Sequence, residues 1–310
     1  MDKQSELQEQ LKKLQEKYAV MGQDLSSYLD GLLYSDYLTY WDYIHLDTLL
    51  SLQNPKTGFP DEKVFIIYHQ ITELYFRLIL LELEQVGARN NLTDKFFIEK
   101  LDRVIRYFRH LENSFDIMVQ GMEKEQFLKF RMALLPASGF QSAQYRMIEI
   151  CSTDMINLVS QSDRSTVDRN NLDKQLEKLY WRSGATELSS GKKTVTLQQF
   201  EAKYMAEFRE LGLKCKERNL WAIYQSSCKG STEIINRLRE LDTLANVLWP
   251  LAHMRAAGHY LHKDPEDIKA TGGTNWQKYL PPRFQKVIFF PELWSEEEIT
   301  QWGSAAFKRS

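Results

Sequence analysis

A predominantly α-helical fold is predicted for this 310-residue chain on three observations. Val64–Val86 contains neither Gly nor Pro and repeats apolar residues at helical spacing through Ile67, Ile71, Leu74, Leu78 and Leu81. A second stripe, Phe97, Leu101, Ile105, Phe108, Leu111, Phe115 and Met118, predicts a helix over about 95–120. Strand candidates are few, with only Lys193–Phe200 and Lys286–Phe290 reading as plausible strands.

Taken in order, Leu7, Leu11, Leu14, Tyr18, Met21 and Leu25 alternate four- and three-residue steps. This a/d seam over residues 5–30 wants an apolar partner, on its own domain or on a second subunit. Residues 33–53 crowd Tyr34, Tyr37, Tyr40, Trp41 and Tyr43 ahead of a short helix; such residues suit interfaces, pocket edges or ordinary cores. Asn54-Pro55 and Gly58-Phe59-Pro60 form a turn-rich loop, and Asp61 or Glu62 suits the positive end of the next helix. After Gly121, residues 123–135 read as a helix stopped by Pro136, and Ser138-Gly139 permits close backbone approach. A new helix starts near Gln141 and runs through Cys151. Residues 160–200 are polar and weakly patterned, with Leu172–Trp181 helical between loops. Helices resume over about 200–229, and Thr232–His262 is the longest remaining run, bent by Pro250. The tail carries two loop motifs, KATGGTNWQKYLPP and FFPELW.

A chain of this length with 43% hydrophobic residues can bury a sizeable core, as one large domain or two small ones. Its formal charge of −2 supplies no field to draw nucleic acid or an anionic membrane. The three cysteines are far apart and in no CxxC spacing, which argues against a disulfide framework or a cysteine zinc site and fits a reducing cytoplasm. The N-terminus lacks the pattern of a secretory signal, and Val64–Val86 carries too many polar residues to be read as a bilayer span. No GxGxxG or GxxxxGK[ST] occurs, so a dinucleotide or P-loop enzyme has no support.

His69 sits oddly within the apolar helix. At i, i+4 and i+8, Phe65, His69 and Glu73 share a face, which could serve a pocket or a satisfied core. His253 is followed on its own face by Ala256 and Ala257, then Gly258, small residues that leave room for a large planar group. That pattern suits a proximal haem ligand, and equally suits close helix packing. Arg131 offers a bidentate fork for a carboxylate with Phe127 one turn earlier as apolar wall, or is an exposed helix residue. Thr271-Gly272-Gly273-Thr274 could form a backbone nest or a plain surface loop.

Several separated motifs, in order, resemble the tryptophan 2,3-dioxygenase family: LTYWDYIHLDTLLSLQNP (38–55), DEKVFIIYHQITELYF (61–76), FLKFRMALLPASGFQSAQYR (127–146), LAHMRAAGHYL (251–261), ATGG (270–273) and FFPEL (289–293). The region 152–235 is not covered by this resemblance. It implies an all-α, multi-helix haem-binding bundle, with residues 1–35 as an N-terminal oligomerisation segment packing across subunits and residues 36–310 as one catalytic domain. It further implies a cytoplasmic homotetramer, a dimer of dimers, that uses haem b and O2 to convert L-tryptophan into N-formylkynurenine. Carried over by motif, His253 would be the axial iron ligand and His69 the distal residue near the indole N–H. Phe65 and Phe127 would be pocket walls, Arg131 the carboxylate clamp, and Thr271 a contact to the amino-acid end. Ser138 and Gly139 would line the haem's distal side, and Tyr40 and Tyr43 would close the pocket from the partner chain.

The chain departs from the family pattern at Thr274, Asn275 and Trp276 after ATGG, and at Tyr75, where a Trp is usual. These departures leave open a haem oxygenase acting on another indole or aromatic, and a haem-free helical scaffold.

Overall fold

A computed structural model describes residues 2–35, 38–134, 141–183, 185, 192–261 and 281–304. The chain divides into two compact units, Met1–Asn54 and Pro55–Ser310. No strand forms among the described residues, which carry an isolated antiparallel bridge between Val159 and Leu179.

The first unit holds α1 (Lys3–Val20), α2 (Leu25–Leu33), α3 (Tyr40–Tyr43) and α4 (Leu46–Ser51). The seam of residues 5–30 is therefore two helices and not one. Gly22 adopts φ +67°, a conformation that ends α1, and the Asp24 carboxylate caps α2 by accepting the Ser26 N–H. No residue of these four helices is buried, and Leu7, Leu14, Met21, Leu32 and Leu33 are exposed.

The second unit is built around α5 (Asp61–Ala88). It starts where Glu62, fully buried, accepts the Lys56 and Thr57 amides at 2.7 Å each and the Thr57 hydroxyl at 2.5 Å. Burial alone would raise the Glu62 pKa, but these hydrogen bonds outweigh it and hold the carboxyl below its ordinary value. The helix buries Tyr68, Thr72, Phe76, Ile79, Leu83 and Val86. The apolar stripe by which the helix is read, which such spacing would place in the core, is the other one: Ile67, Leu74, Leu78 and Leu81 are 39–54% exposed. Both faces of α5 are apolar, so spacing alone cannot choose between them. By length and composition α5 could cross a bilayer. What it does in this chain is pack one face on the main core, where Glu82 pairs with buried Lys100 at 2.6 Å.

The stripe predicted over 95–120 becomes α6 (Asp94–Ser114), capped by Thr93, and α7 (Asp116–Gln120). Next come α8 (Lys124–Phe130), a 3-10 turn (Arg131–Leu134), α9 (Ala143–Ser152), α10 (Met155–Leu158), α11 (Leu172–Glu177) and α12 (Tyr180–Ser183). Lys193–Phe200, read as a strand, instead opens the long α13 (Val195–Cys215). Thr194 decides this, because its hydroxyl accepts the Leu197 N–H at 3.3 Å and caps a helix. The other strand candidate, Lys286–Phe290, is irregular.

After α14 (Leu220–Ser227) the run predicted over 232–262 divides into α15 (Thr232–Thr243), a π-helical turn (Leu244–Leu248) and α16 (Trp249–Leu261). Pro250 supplies the reason: it has no N–H, and its ring would crowd the carbonyl four residues back in a regular helix. The wider π turn just before it relieves that crowding and frees carbonyls, one of which, on Ala245, accepts the Tyr145 hydroxyl at 2.8 Å. The tail adds α17 (Pro282–Gln285), a 3-10 turn (Pro291–Leu293) and α18 (Glu296–Gln301). FFPELW is held by buried Asp242, which accepts the Phe289 and Phe290 amides and the Trp294 indole N–H at 2.9–3.1 Å.

The main core joins α5, α6, α9, α13 and α15. A second, smaller core of Tyr68, Phe115, Met118, Met122, Phe130, Ala252, Ala256 and Tyr260 gathers the first turns of α5, the α7–α8 region and α16.

Candidate active site

The second core gathers four of the sequence-predicted residues, Phe65, His69, Phe127 and His253. Phe65 and His69 stack at 4.1 Å between ring centroids. Phe65 meets Phe127 at 6.2 Å and Phe130 at 5.8 Å, and Phe127 meets Tyr260 at 4.5 Å. Two hydrogen bonds fix α8 against α5: the Glu123 N–H donates to Asp61 at 2.6 Å, and the Asp61 N–H donates to Gln126 at 3.3 Å. Tyr260 ties α16 to the α7–α8 turn by donating its hydroxyl towards the Val119 and Met122 carbonyls.

His69 is exposed on one side, while the protein around it desolvates the ring and lowers its pKa; the Phe65 carbonyl and the Glu73 charge oppose that shift without reversing it. Its Nδ1 lies 2.7 Å from the Phe65 carbonyl oxygen. A carbonyl can only accept, so Nδ1 carries the proton and Nε2 presents a lone pair. The imidazole is thus a neutral, oriented hydrogen-bond acceptor.

His253 lies on α16 beside Phe115, ring edge to face at 5.8 Å. Phe115 in turn touches Tyr68 at 5.7 Å, and Tyr68 touches His69 at 5.9 Å. Burial first, and then the nearby charge that His69 can carry, together bring His253 down to about 4. His253 Nδ1 is buried and has no hydrogen-bond partner. Its small neighbours Ala252 and Ala256 are buried in the same core.

Arg131 opens the 3-10 turn one turn after Phe127 and is half-buried, and burial pulls its pKa below the ordinary guanidinium range. Thr271, Ser138 and Gly139 lie outside the described residues. Tyr40 and Tyr43 are exposed on α3 in the first unit. Among the described residues no cluster of three or more His, Cys, Asp or Glu could hold a metal ion.

Besides Tyr68, three residues of this site were not singled out as functional from the sequence. Phe130 is fully buried three residues after Phe127, within the same FLKFR motif. Tyr260 lies seven residues after His253, two turns along one face. Phe115 closes the apolar stripe of α6, a place where periodicity reads as scaffold.

A family model described as tryptophan 2,3-dioxygenase matches residues 31–250. The chain belongs to the tryptophan 2,3-dioxygenase family. Similar proteins bearing that name come from several bacteria. That of Ruegeria sp. (strain TM1040) is 42% identical over 118 residues, 37% of this chain and 42% of its own length. Those of Polaromonas naphthalenivorans (strain CJ2) and Bacillus thuringiensis subsp. konkukian (strain 97-27) are 27% and 29% identical, each over 84% of this chain and over 91% and 92% of their own lengths. The family match spans 152–235, the region that the motif resemblance left uncovered. It ends three residues before His253, whose position rests on the LAHMRAAGHYL motif and on its place in the second core.

Proposed function

We propose that this chain is a haem-dependent dioxygenase that opens the indole ring of L-tryptophan at C2–C3 with O2, giving N-formylkynurenine, with His253 as the residue that would hold the iron of haem b. The observation that carries the reading is the pairing of two unlike histidines in one aromatic cluster. His69 faces it with a fixed acceptor nitrogen. His253 is kept neutral by a pKa of about 4 and has an orphaned buried nitrogen. A neutral imidazole has the lone pair that iron needs, and an unsatisfied buried nitrogen costs about 1–3 kcal/mol unless something at the site compensates it. The residues therefore fit the group, with only the small side chains of Ala252 and Ala256 beside His253 on the helix.

Bound haem supplies the binding and activation of O2. The protein's own part is positional. Phe65, Phe127 and Phe130 form an apolar wall for the indole and exclude water from it. His69 Nε2 accepts the indole N–H, which orients the ring; the indole N–H is too weakly acidic for His69 to serve well as a base. Arg131 holds the carboxylate through its planar fork. In the same proposal Thr271 would meet the amino-acid end, Ser138 and Gly139 would border the haem, and Tyr40 and Tyr43 would close the pocket from a partner chain. The proposed assembly is a cytoplasmic homotetramer with the N-terminal segment crossing between subunits. The exposed apolar stripe of α5 supports assembly, because such a stripe is the kind of surface that a subunit interface covers.

The test is the absorption spectrum of reduced, haem-reconstituted protein titrated with L-tryptophan, followed by product analysis with O2. A high-spin spectrum perturbed by L-tryptophan and release of N-formylkynurenine are expected, with the Soret band lost or shifted in His253→Ala. Haem-replete protein that yields no N-formylkynurenine, or that turns over another indole faster, overturns the activity assigned here. An unchanged Soret band in His253→Ala overturns the ligand.

A further inference from the structure

Two thiols from distant parts of the chain meet in the main core, away from the aromatic pocket. Cys151, next to last in α9, and Cys215, last in α13, hold their Sγ atoms 3.4 Å apart across a sequence separation of 64. Both are buried. A cleft of about 240 Å³ between α10, α11 and α13 has Cys215 in its wall, with Arg169, Lys216 and Asn219; Cys151 does not line it. Cys215 is thus the member of the pair that borders the cleft.

We propose that Cys151 and Cys215 are a dithiol oxidised by hydrogen peroxide, in which Cys215 reacts first and Cys151 resolves it to a reversible disulfide between α9 and α13. In the first step the Cys215 thiolate attacks one peroxide oxygen. An S–O bond forms, the O–O bond breaks, and the leaving hydroxide takes up the proton that the thiol released, as water. In the second step the Cys151 sulfur attacks the sulfenic sulfur. The S–S bond forms, the S–O bond breaks, and the hydroxyl leaves with the Cys151 proton as a second water. Two thiols and one peroxide give one disulfide and two waters, and an added dithiol reductant reverses the reaction.

The order of attack agrees with the local chemistry. The contact between the two sulfurs holds the Cys215 pKa below its ordinary value and that of Cys151 above it, and Lys214 adds to the lowering at Cys215. The third thiol, Cys228, is buried and pushed up to about 12, so it serves as an internal control. The sulfurs must close from 3.4 Å to about 2.05 Å, a shift within reach of side-chain rotation and small helix movement.

The full-length protein is treated with a small excess of hydrogen peroxide under native conditions, alkylated, and digested without reduction. The expected product is a single cross-linked peptide joining Cys151 to Cys215, reversed by dithiothreitol, with Cys228 still alkylated. Closing a loop of this length should also raise Tm by several degrees. Cys151→Ser should trap a dimedone-reactive sulfenic acid on Cys215, whereas Cys215→Ser should leave Cys151 unlabelled. Three alkylated cysteines after peroxide, a cross-link that appears only in urea, or labelling of Cys151 in Cys215→Ser each overturn the proposal. The wild-type peptide map stands even where a serine variant fails to fold.

Discussion

His69→Phe separates two roles that a distal histidine can play, by magnitude. The phenyl ring keeps the stacking on Phe65 at 4.1 Å, and the Phe65 carbonyl keeps its place in the helix ladder. What disappears is the Nε2 lone pair, the one acceptor left once Nδ1 is committed to Phe65. A neutral hydrogen bond contributes about 0.5–1.5 kcal/mol, so kcat/KM for L-tryptophan should fall about 2- to 13-fold. Loss of a general base would cost on the order of 100- to 10,000-fold. Two controls sharpen the reading. Tryptophan methylated at the indole nitrogen should lose a similar factor with the wild type and no further factor with His69→Phe. The acid limb should change as well: an acceptor His69 must be neutral, so wild-type activity falls only as pH drops through a pKa that burial has set below the usual 6.5. That limb should be absent in His69→Phe. A loss above about 100-fold at matched haem occupancy, or a further loss with the methylated substrate, refutes the acceptor role.

Three further outcomes follow from the same structure. Arg131→Lys keeps the charge but loses one of two parallel hydrogen bonds to a carboxylate, so KM for L-tryptophan should rise about 10- to 150-fold, while turnover of tryptamine, which has no carboxylate, stays within about 2-fold. In apoprotein, His253 has a folded pKa of about 4 against 6.5, so the unfolded chain binds the extra proton between those values. Stability is therefore full above pH 6.5 and falls by up to about 3 kcal/mol as pH drops to 4; urea titrations across that window should show a slope that His253→Phe removes. Lys100→Met leaves the Glu82 carboxylate buried beside a half-exposed Arg103 at 3.4 Å and should cost about 3–5 kcal/mol. The double change Lys100→Met with Glu82→Leu should recover most of that loss, and urea midpoints showing no recovery would place the cost in packing instead.

Part of the candidate site's geometry was legible in the sequence. Phe65 with His69, and Phe127 with Arg131, share faces because i, i+4 spacing forces it on a helix. The small residues after His253 marked a close approach. What the chain could not reveal is that Phe115 and Tyr68 connect the two histidines, since that contact joins residues 47 positions apart through side chains read as scaffold. The Nδ1 proton on His69 likewise depends on a rotamer within the fold.

By itself the sequence determined that the chain is helical, where its long helices lie, and which family it belongs to, because apolar spacing and motif order are properties of the chain. Only the tertiary structure decided which face of α5 is inside. Ile67, Leu74, Leu78 and Leu81 repeat as regularly as Tyr68, Thr72, Phe76, Ile79 and Leu83, and their spacing promises burial just as clearly. The tertiary structure also turned Lys193–Phe200 from a strand into a capped helix and put a π turn before Pro250. In each case the local signal was degenerate. The choice fell to contacts between segments far apart in the chain, or to a single cap, and a spacing rule evaluates neither.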